Sequence, residues 1–156
     1  MSFEKAKSHL EKFGFEDRIR TFEVSSATVA LAAQALGCKQ AHIAKTLSFA
    51  VSEERTVLIV TAGDTKVNNG KFKAFFGVKA KMLSFEEVEE KIGHAVGGVC
   101  PFGVNEGVEV YLDESMKRFE KIYPACGSSN SAVELSIPEL EESSCFKSWV
   151  DVVTFA

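Results

Sequence analysis

The stretch His42-Ile43-Ala44-Lys45-Thr46-Leu47-Ser48-Phe49-Ala50-Val51 alternates as a β-strand does. Ile43, Leu47, Phe49 and Val51 fall on one face, and His42, Thr46 and Ser48 on the other. Lys45 falls on the apolar face. An ammonium among aliphatic side chains must be paired, neutralised or pointed into a wet cavity, because burying it alone is costly. A second reading is equally open from these residues: the lysine stem lies over the core and its head reaches water.

Downstream, Ser52-Glu53-Glu54-Arg55 forms a polar turn. Thr56-Val57-Leu58-Ile59-Val60-Thr61 then reads as a second strand, apolar enough at its centre to be buried on both faces. The two strands predict a hairpin in mid-sheet. Upstream, Ser2 caps a helix carrying Phe3, Ala6, Leu10 and Phe13, closed by Gly14, and Arg18 to Val24 reads as a strand. Ser25-Ser26 leads into an alanine-rich helix from Thr28 to Leu36, stopped by Gly37.

Past the hairpin, Lys66, Lys71, Lys73, Lys79 and Lys81 occur with no acid between Asp64 and Glu86. Asn68 or Asn69 caps a short helix running to Phe76, and Val78 to Met82 alternates as a strand. Ser84 and Glu87 form a capping box for a helix ending at Gly93. The loop His94-Ala95-Val96-Gly97-Gly98-Val99-Cys100-Pro101-Phe102-Gly103-Val104 follows, and its glycines let backbone N–H groups approach a ligand. It matches neither the phosphate-loop pattern nor the dinucleotide fingerprint.

Val108 to Leu112 reads as a strand, Asp113 to Phe119 as a helical turn and Lys121 to Cys126 as another strand. Gly127-Ser128-Ser129-Asn130-Ser131 is a loop of small hydrogen-bonding residues before the strand Ala132 to Leu135. Ser136-Ile137-Pro138-Glu139 is a capping box with proline in the first turn. Phe146 to Phe155 closes the chain as a strand. About seven to nine strands with four or five short helices predict an α/β (α+β) fold, with residues 1–156 as a single domain.

The composition narrows the function classes. At 156 residues and 46% hydrophobic, the chain can fill one core. No apolar run approaches the roughly 18 residues that cross a bilayer, and the first residues are charged rather than signal-like, so the expected compartment is the cytoplasm, without membrane contact. Cys38, Cys100, Cys126 and Cys145 are widely spread with no metal-ligand spacing, which predicts free thiols and no metal. Residues 24 to 85 carry eight basic and three acidic side chains, whereas residues 86 to 142 carry four and thirteen. Such polarity does not suit gripping a long DNA duplex; composition alone favours plain solvated charge, with contact to a short anionic end as the second reading.

Three separated stretches share one pattern: Ile43-Ala44-Lys45-Thr46-Leu47, Gly97-Gly98-Val99-Cys100-Pro101-Phe102-Gly103, and Gly127-Ser128-Ser129-Asn130-Ser131-Ala132-Val133-Glu134-Leu135. In order and spacing they resemble the YbaK and prolyl-tRNA-synthetase editing-domain family over nearly the whole chain. Cys100 departs from that pattern, which places a small hydroxyl residue before the proline. The resemblance implies a mixed, barrel-like curled sheet with short helices around it. It also implies a free-standing deacylase that clears wrongly attached amino acids from tRNA, tRNA-Pro carrying a small wrong amino acid in particular. The implied partners are a tRNA acceptor end and a synthetase such as prolyl-tRNA synthetase, and no cofactor is implied.

Under the resemblance, Lys45 is the residue required for activity. Backbone N–H groups between Gly98 and Gly103 are the expected oxyanion donors. Thr46, Gly97, Val99, Cys100, Pro101 and Phe102, with Gly127, Ser128, Ser129 and Asn130, are the expected substrate contacts, and the lysines from Lys66 to Lys81 a basic patch for the RNA end. No catalytic base stands out: His9 and His42 read as structural or surface residues, and His94, just before the glycine loop, is a minor candidate for ligand contact. A Cys100 thiolate mechanism has no assignable base partner. The rival function is a non-catalytic module that binds an aminoacyl-tRNA end, a nucleotide or a synthetase.

Overall fold

The computed structural model describes residues 2–156. The opening stretch is β2 (Ile43–Ala50), preceded by β1 (Ile19–Thr21) and followed by β3 (Thr56–Ala62). β2 and β3 pair antiparallel in register from Ala44 opposite Ala62 to Ala50 opposite Thr56, which sets Lys45 opposite Thr61. Both faces of β3 are covered, as its apolar run requires.

Further strands are β4 (Thr65–Val67), β5 (Glu109–Asp113), β6 (Lys121–Pro124), β7 (Ser131–Val133), β8 (Leu135–Ser136), β9 (Ser148–Val150) and β10 (Val153–Phe155). Six of them form a mixed sheet in the order β8-β6-β2-β3-β5-β9, curled as a half-barrel, while β1 with β7 and β4 with β10 form two small ribbons. The sequence differs from this in four places. Ala132 to Leu135 is not one strand but is split at Glu134 between β7 and β8, which lie in different sheets. Arg18 to Val24 supplies a strand of three residues only. Phe146 to Phe155 is broken into β9 and β10 at Asp151-Val152. Val78 to Met82 is no strand, because its sole ladder contact is one bridge between Met82 and Phe49.

The helices are α1 (Ser2–Glu11), α2 (Val29–Leu36), α3 (Asn69–Phe76), α4 (Phe85–Ile92) and α5 (Ile137–Ser144). The starts of α2 to α5 are side-chain caps that satisfy otherwise unpaired N–H groups, whereas Ser2, the expected cap of α1, lies inside that helix and donates its hydroxyl to the Gly127 carbonyl. Thr28 accepts from Leu31 and Asn68 from Lys71, and Ser84 with Glu87 and Ser136 with Glu139 each close a capping box.

The helices cover both faces of the sheet. Leu58, Val60 and Ala62 pack with Ala6 and Leu10 of α1, Val88 and Ile92 of α4 and Leu140 of α5. On the other face Phe49, Val57 and Ile59 meet Phe72 and Phe76 of α3, and Ile43 meets Ala32 and Ala33 of α2. Burying one such aromatic or aliphatic side chain contributes about 1.5–3 kcal/mol. This packing fixes β2, and β2 carries the site.

Candidate functional site

β2 is bordered by β3 along its full length on one side, but β6 reaches only Ile43 and Ala44 on the other. Beyond that point lies a cavity of about 420 Å³. β2 supplies residues 43 to 48 to its wall, and the start of α2 adds Ser26, Ala27, Thr28 and Val29. Leu83, Phe85 and Val88 come from α4 and its approach, Val96, Gly97 and Val99 from the glycine loop, and Tyr123, Ala125, Ser131 and Ala132 from the β6 to β7 region. The exposed apolar side chains Met82, Phe85 and Val96 also line it.

Lys45 is the only charged side chain among the described residues that line this cavity. It is half-buried, and its Nζ donates to the backbone carbonyl of Thr65. Burial lowers its pKa below the ordinary lysine value, and the nearby Asp64 carboxylate works the other way. Asp64 is itself gripped by the Arg118 guanidinium at 2.8 and 3.1 Å, which holds its carboxyl below the usual range. The turn bearing Thr65 is anchored by buried hydroxyls: Thr61 Oγ1 lies 2.9 Å from Thr65 Oγ1 and 3.0 Å from Ser115 Oγ. A strand cation tethered to a fixed turn in an apolar recess attracts an anionic or polarised group strongly, because attraction strengthens where water is scarce.

Of the residues singled out in the sequence, Lys45, Thr46, Gly97 and Val99 meet at this cavity. Gly98 and Gly103, the two ends of the expected oxyanion loop, both lie outside the cavity lining. Gly98 already spends its N–H on Ala95 C=O at 3.0 Å. Gly103 lies against α1, where an added Cβ would stand 2.5 Å from the Lys5 carbonyl oxygen, and it lines a separate shallow cleft with Lys5 and His9.

Cys100, Pro101 and Phe102 are buried outside the cavity lining. Gly127, Ser128, Ser129 and Asn130 support the wall from behind rather than line it. Gly98 packs directly on the Gly127-Ser128 backbone, Asn130 donates to Phe22 C=O at 3.1 Å, and Ser128 Oγ donates to Asn130 Oδ1 at 3.0 Å. The two loops therefore touch, as their shared pattern suggested, but Ser131 and Ala132 are the residues presented to the space.

Cys100 lies 3.5 Å from His94 Nε2, which suggests a thiol–imidazole pair. Its environment disarms it. Burial pushes the Cys100 thiol far up, and burial lowers the His94 pKa, so neither group ionises readily. His94 Nε2 is engaged with Phe102 C=O at 2.6 Å. His9 contacts Ser143 C=O at 2.6 Å, and His42 packs edge-on to Phe119 with ring centroids 4.2 Å apart.

Among the basic residues expected to meet an RNA end, Lys71 is paired with Asp151 at 3.0 Å. Lys79 and Lys81 are exposed, and Lys81 adjoins Met82 at the cavity. Sequence reasoning missed the start of α2, Tyr123 and Ala125, which carry no charge or motif, and did not single out Ala132 within its quoted stretch. The described residues contain no group of three or more His, Cys, Asp or Glu placed to hold a metal ion. No helix among them is long and apolar enough to cross a membrane.

The edge of β2 thus opens on a largely apolar recess whose lining, among the described residues, carries one cation. Residues 23–142 match the aminoacyl-tRNA editing domain, and the chain belongs to that family. Over 152 residues it is 49% identical to YwhH, an uncharacterised Bacillus subtilis protein, covering 97% of both chains. It is 30% identical over 128 residues to a proline–tRNA ligase of Bacillus cereus; that match takes in 81% of this chain but only 20% of the ligase. A solved structure described as a candidate trans-editing enzyme for prolyl-tRNA synthetase superposes with a TM-score of 0.87 at 28% identity, covering 98% of this chain and 97% of the other.

Proposed function

We propose that this protein hydrolyses the ester joining a wrongly attached small amino acid to the 3′ end of a tRNA, tRNA-Pro foremost, and does so in trans in the cytoplasm. Water adds to the ester carbonyl, the tRNA hydroxyl leaves, and the free amino acid is released. The observation that carries this reading is Lys45, the one charge among the described residues that line an apolar cavity, in a chain of the aminoacyl-tRNA editing family.

The ester is already activated, so the protein's task is to hold it, polarise it and admit water. Lys45 has three N–H donors, and Thr65 takes one. The remaining two face a phosphate or the charge developing on the carbonyl oxygen, an interaction worth about 3 kcal/mol when such donors are removed from other hydrolases. No side-chain nucleophile is required, in keeping with the suppressed Cys100 thiol.

The need for such an enzyme is physical. A synthetase pocket discriminates by only about 1–3 kcal/mol per methylene, so small errors pass and a second site must remove them. Purified protein is mixed with a panel of mischarged tRNAs, and ester loss is followed beside Lys45→Ala. Loss on at least one member, absent in the variant, is the expected result. No loss on any member, or equal loss in the variant, overturns the reading, and tight binding without loss identifies a non-catalytic module instead.

A further inference from the structure

The β2 edge has a one-residue gap. Leu83 N–H donates to Ser48 C=O at 3.2 Å and Ala50 N–H to Lys81 C=O at 2.9 Å. Even-numbered residues of β2 therefore turn their peptide groups away from β3, since N–H and C=O of one strand residue share a side. β6 stops at Ala44 and the residue 81–83 segment begins its bonds at Ser48. Thr46 lies between them, so its N–H and C=O open onto the cavity with no partner among the described residues. The Thr46 hydroxyl is also buried without a partner. Backbone groups in such a recess are normally paired, and an unpaired set beside a cavity marks a place where something else pairs.

We propose that Thr46 is the docking point for the aminoacyl group itself, resting on the reading of the cavity as an aminoacyl-ester site. The α-ammonium donates to Thr46 C=O and the ester carbonyl accepts from Thr46 N–H, as a single residue of an antiparallel strand does. The ligand side chain then stands on the Thr46 side of the sheet, where Ala44 and Ala50 pack with Leu83, Val88 and Val99. This pairing uses only the amine and carbonyl that every aminoacyl ester shares. It leaves the identity of the amino acid to the apolar walls.

The same geometry excludes a blocked amine. Antiparallel to β2, anything attached to the ligand nitrogen runs along the edge towards Ser48, whose carbonyl is already taken by Leu83. The chemical class recognised is therefore an α-aminoacyl ester with a free amine, and N-acylated or peptidyl esters are refused.

The probe is 3′-(L-alanylamino)-3′-deoxyadenosine, a non-hydrolysable analogue bearing the smallest chiral aminoacyl group, titrated into the isotopically labelled full chain. The Thr46 amide resonance is expected to move on saturation. The N-acetyl form of the probe is expected to bind about tenfold or more weakly, the worth of one hydrogen bond to a charged group. An amide-to-ester replacement at Thr46 deletes its N–H and weakens the Lys45 carbonyl as an acceptor towards β3, and is expected to weaken the probe about tenfold with only a small fall in melting temperature.

An unmoved Thr46 amide, or equal binding of the acetylated probe by the unmodified protein, overturns the proposal even if the ester variant fails to fold. Hydrolysis of mischarged tRNA that the folded ester variant performs as fast overturns docking at Thr46 and leaves the deacylase reading standing. Probe binding at Thr46 with no hydrolysis of any mischarged tRNA does the reverse.

Discussion

Lys45 Nζ bonds to the carbonyl of Thr65 and not to a carboxylate, so the charge lining the cavity is positioned by a neutral acceptor. A planar guanidinium cannot replace a compact ammonium in that contact. Lys45→Arg and Lys45→Met are each expected to slow deacylation about 10²- to 10³-fold, the usual effect of losing one preorganised donor. Lys45→Met is expected to melt at the same temperature as the parent or higher, because it removes a half-buried charge with no ion partner among the described residues. Single-turnover ester loss and thermal melts check both statements.

The lowered Lys45 pKa makes activity and stability diverge in alkali. Between the folded pKa and the unfolded value of 10.5, the unfolded chain binds the proton that the folded chain has lost. Stability relative to Lys45→Met should therefore rise with pH across that window, while the catalysed rate, corrected for spontaneous hydrolysis, falls. Asp64→Asn removes the carboxylate that opposes the shift and should move the fall to lower pH. Rate–pH profiles and pH-dependent unfolding of both variants test the sign.

Thiol chemistry should not touch the reaction. Burial pushes the Cys126 thiol up to about 12 and the Cys100 thiol higher still, whereas Cys145 is exposed. Alkylation of the native protein is expected at Cys145 and absent at Cys100 and Cys126, with the deacylation rate retained. Mass mapping of the modified protein, read beside its activity, decides; modification of Cys100 coincident with inactivation contradicts it.

Gly98 is a contact between two loops. A Cβ there would stand 2.5 Å from Ser128 N and 2.6 Å from Gly127 C, so backbone has to move. Gly98→Ala should cost about 1–3 kcal/mol by overpacking and lower activity as well, by shifting Gly97 and Val99 at the cavity. Gly107→Ala is the comparison: φ there is +91° but the space is open, so the cost should be about 1–2 kcal/mol with activity retained. Denaturant unfolding and ester-loss assays on both variants provide the measurement.

Local chemistry was legible in the sequence. The period-two alternation of β2, the apolar run of β3 and the capping boxes at Ser84 and Ser136 translate directly into hydrogen bonds between near neighbours. Lys45 stood out because a charge in an apolar row is costly wherever the strand lies. The rest depended on contacts between distant segments. Val78 to Met82 alternates like a strand, yet only Met82 finds a ladder partner. Gly98 and Gly103 share a loop and a residue type, but one turns to Ala95 and Gly127 while the other turns to α1. Tyr123, Ala125 and Ala132 enter the cavity wall only because parallel pairing brings β6 beside β2, and no local pattern encodes that.

α1 rests on both loops from behind. Gly103 packs against the Lys5 carbonyl, Gly127 against the Ser2 carbonyl, and Ser2 Oγ donates to Gly127 C=O. One rod thus holds both loops at positions outside the cavity lining. The two loops are fixed to one element, a helix that lies outside the matched editing region of residues 23–142.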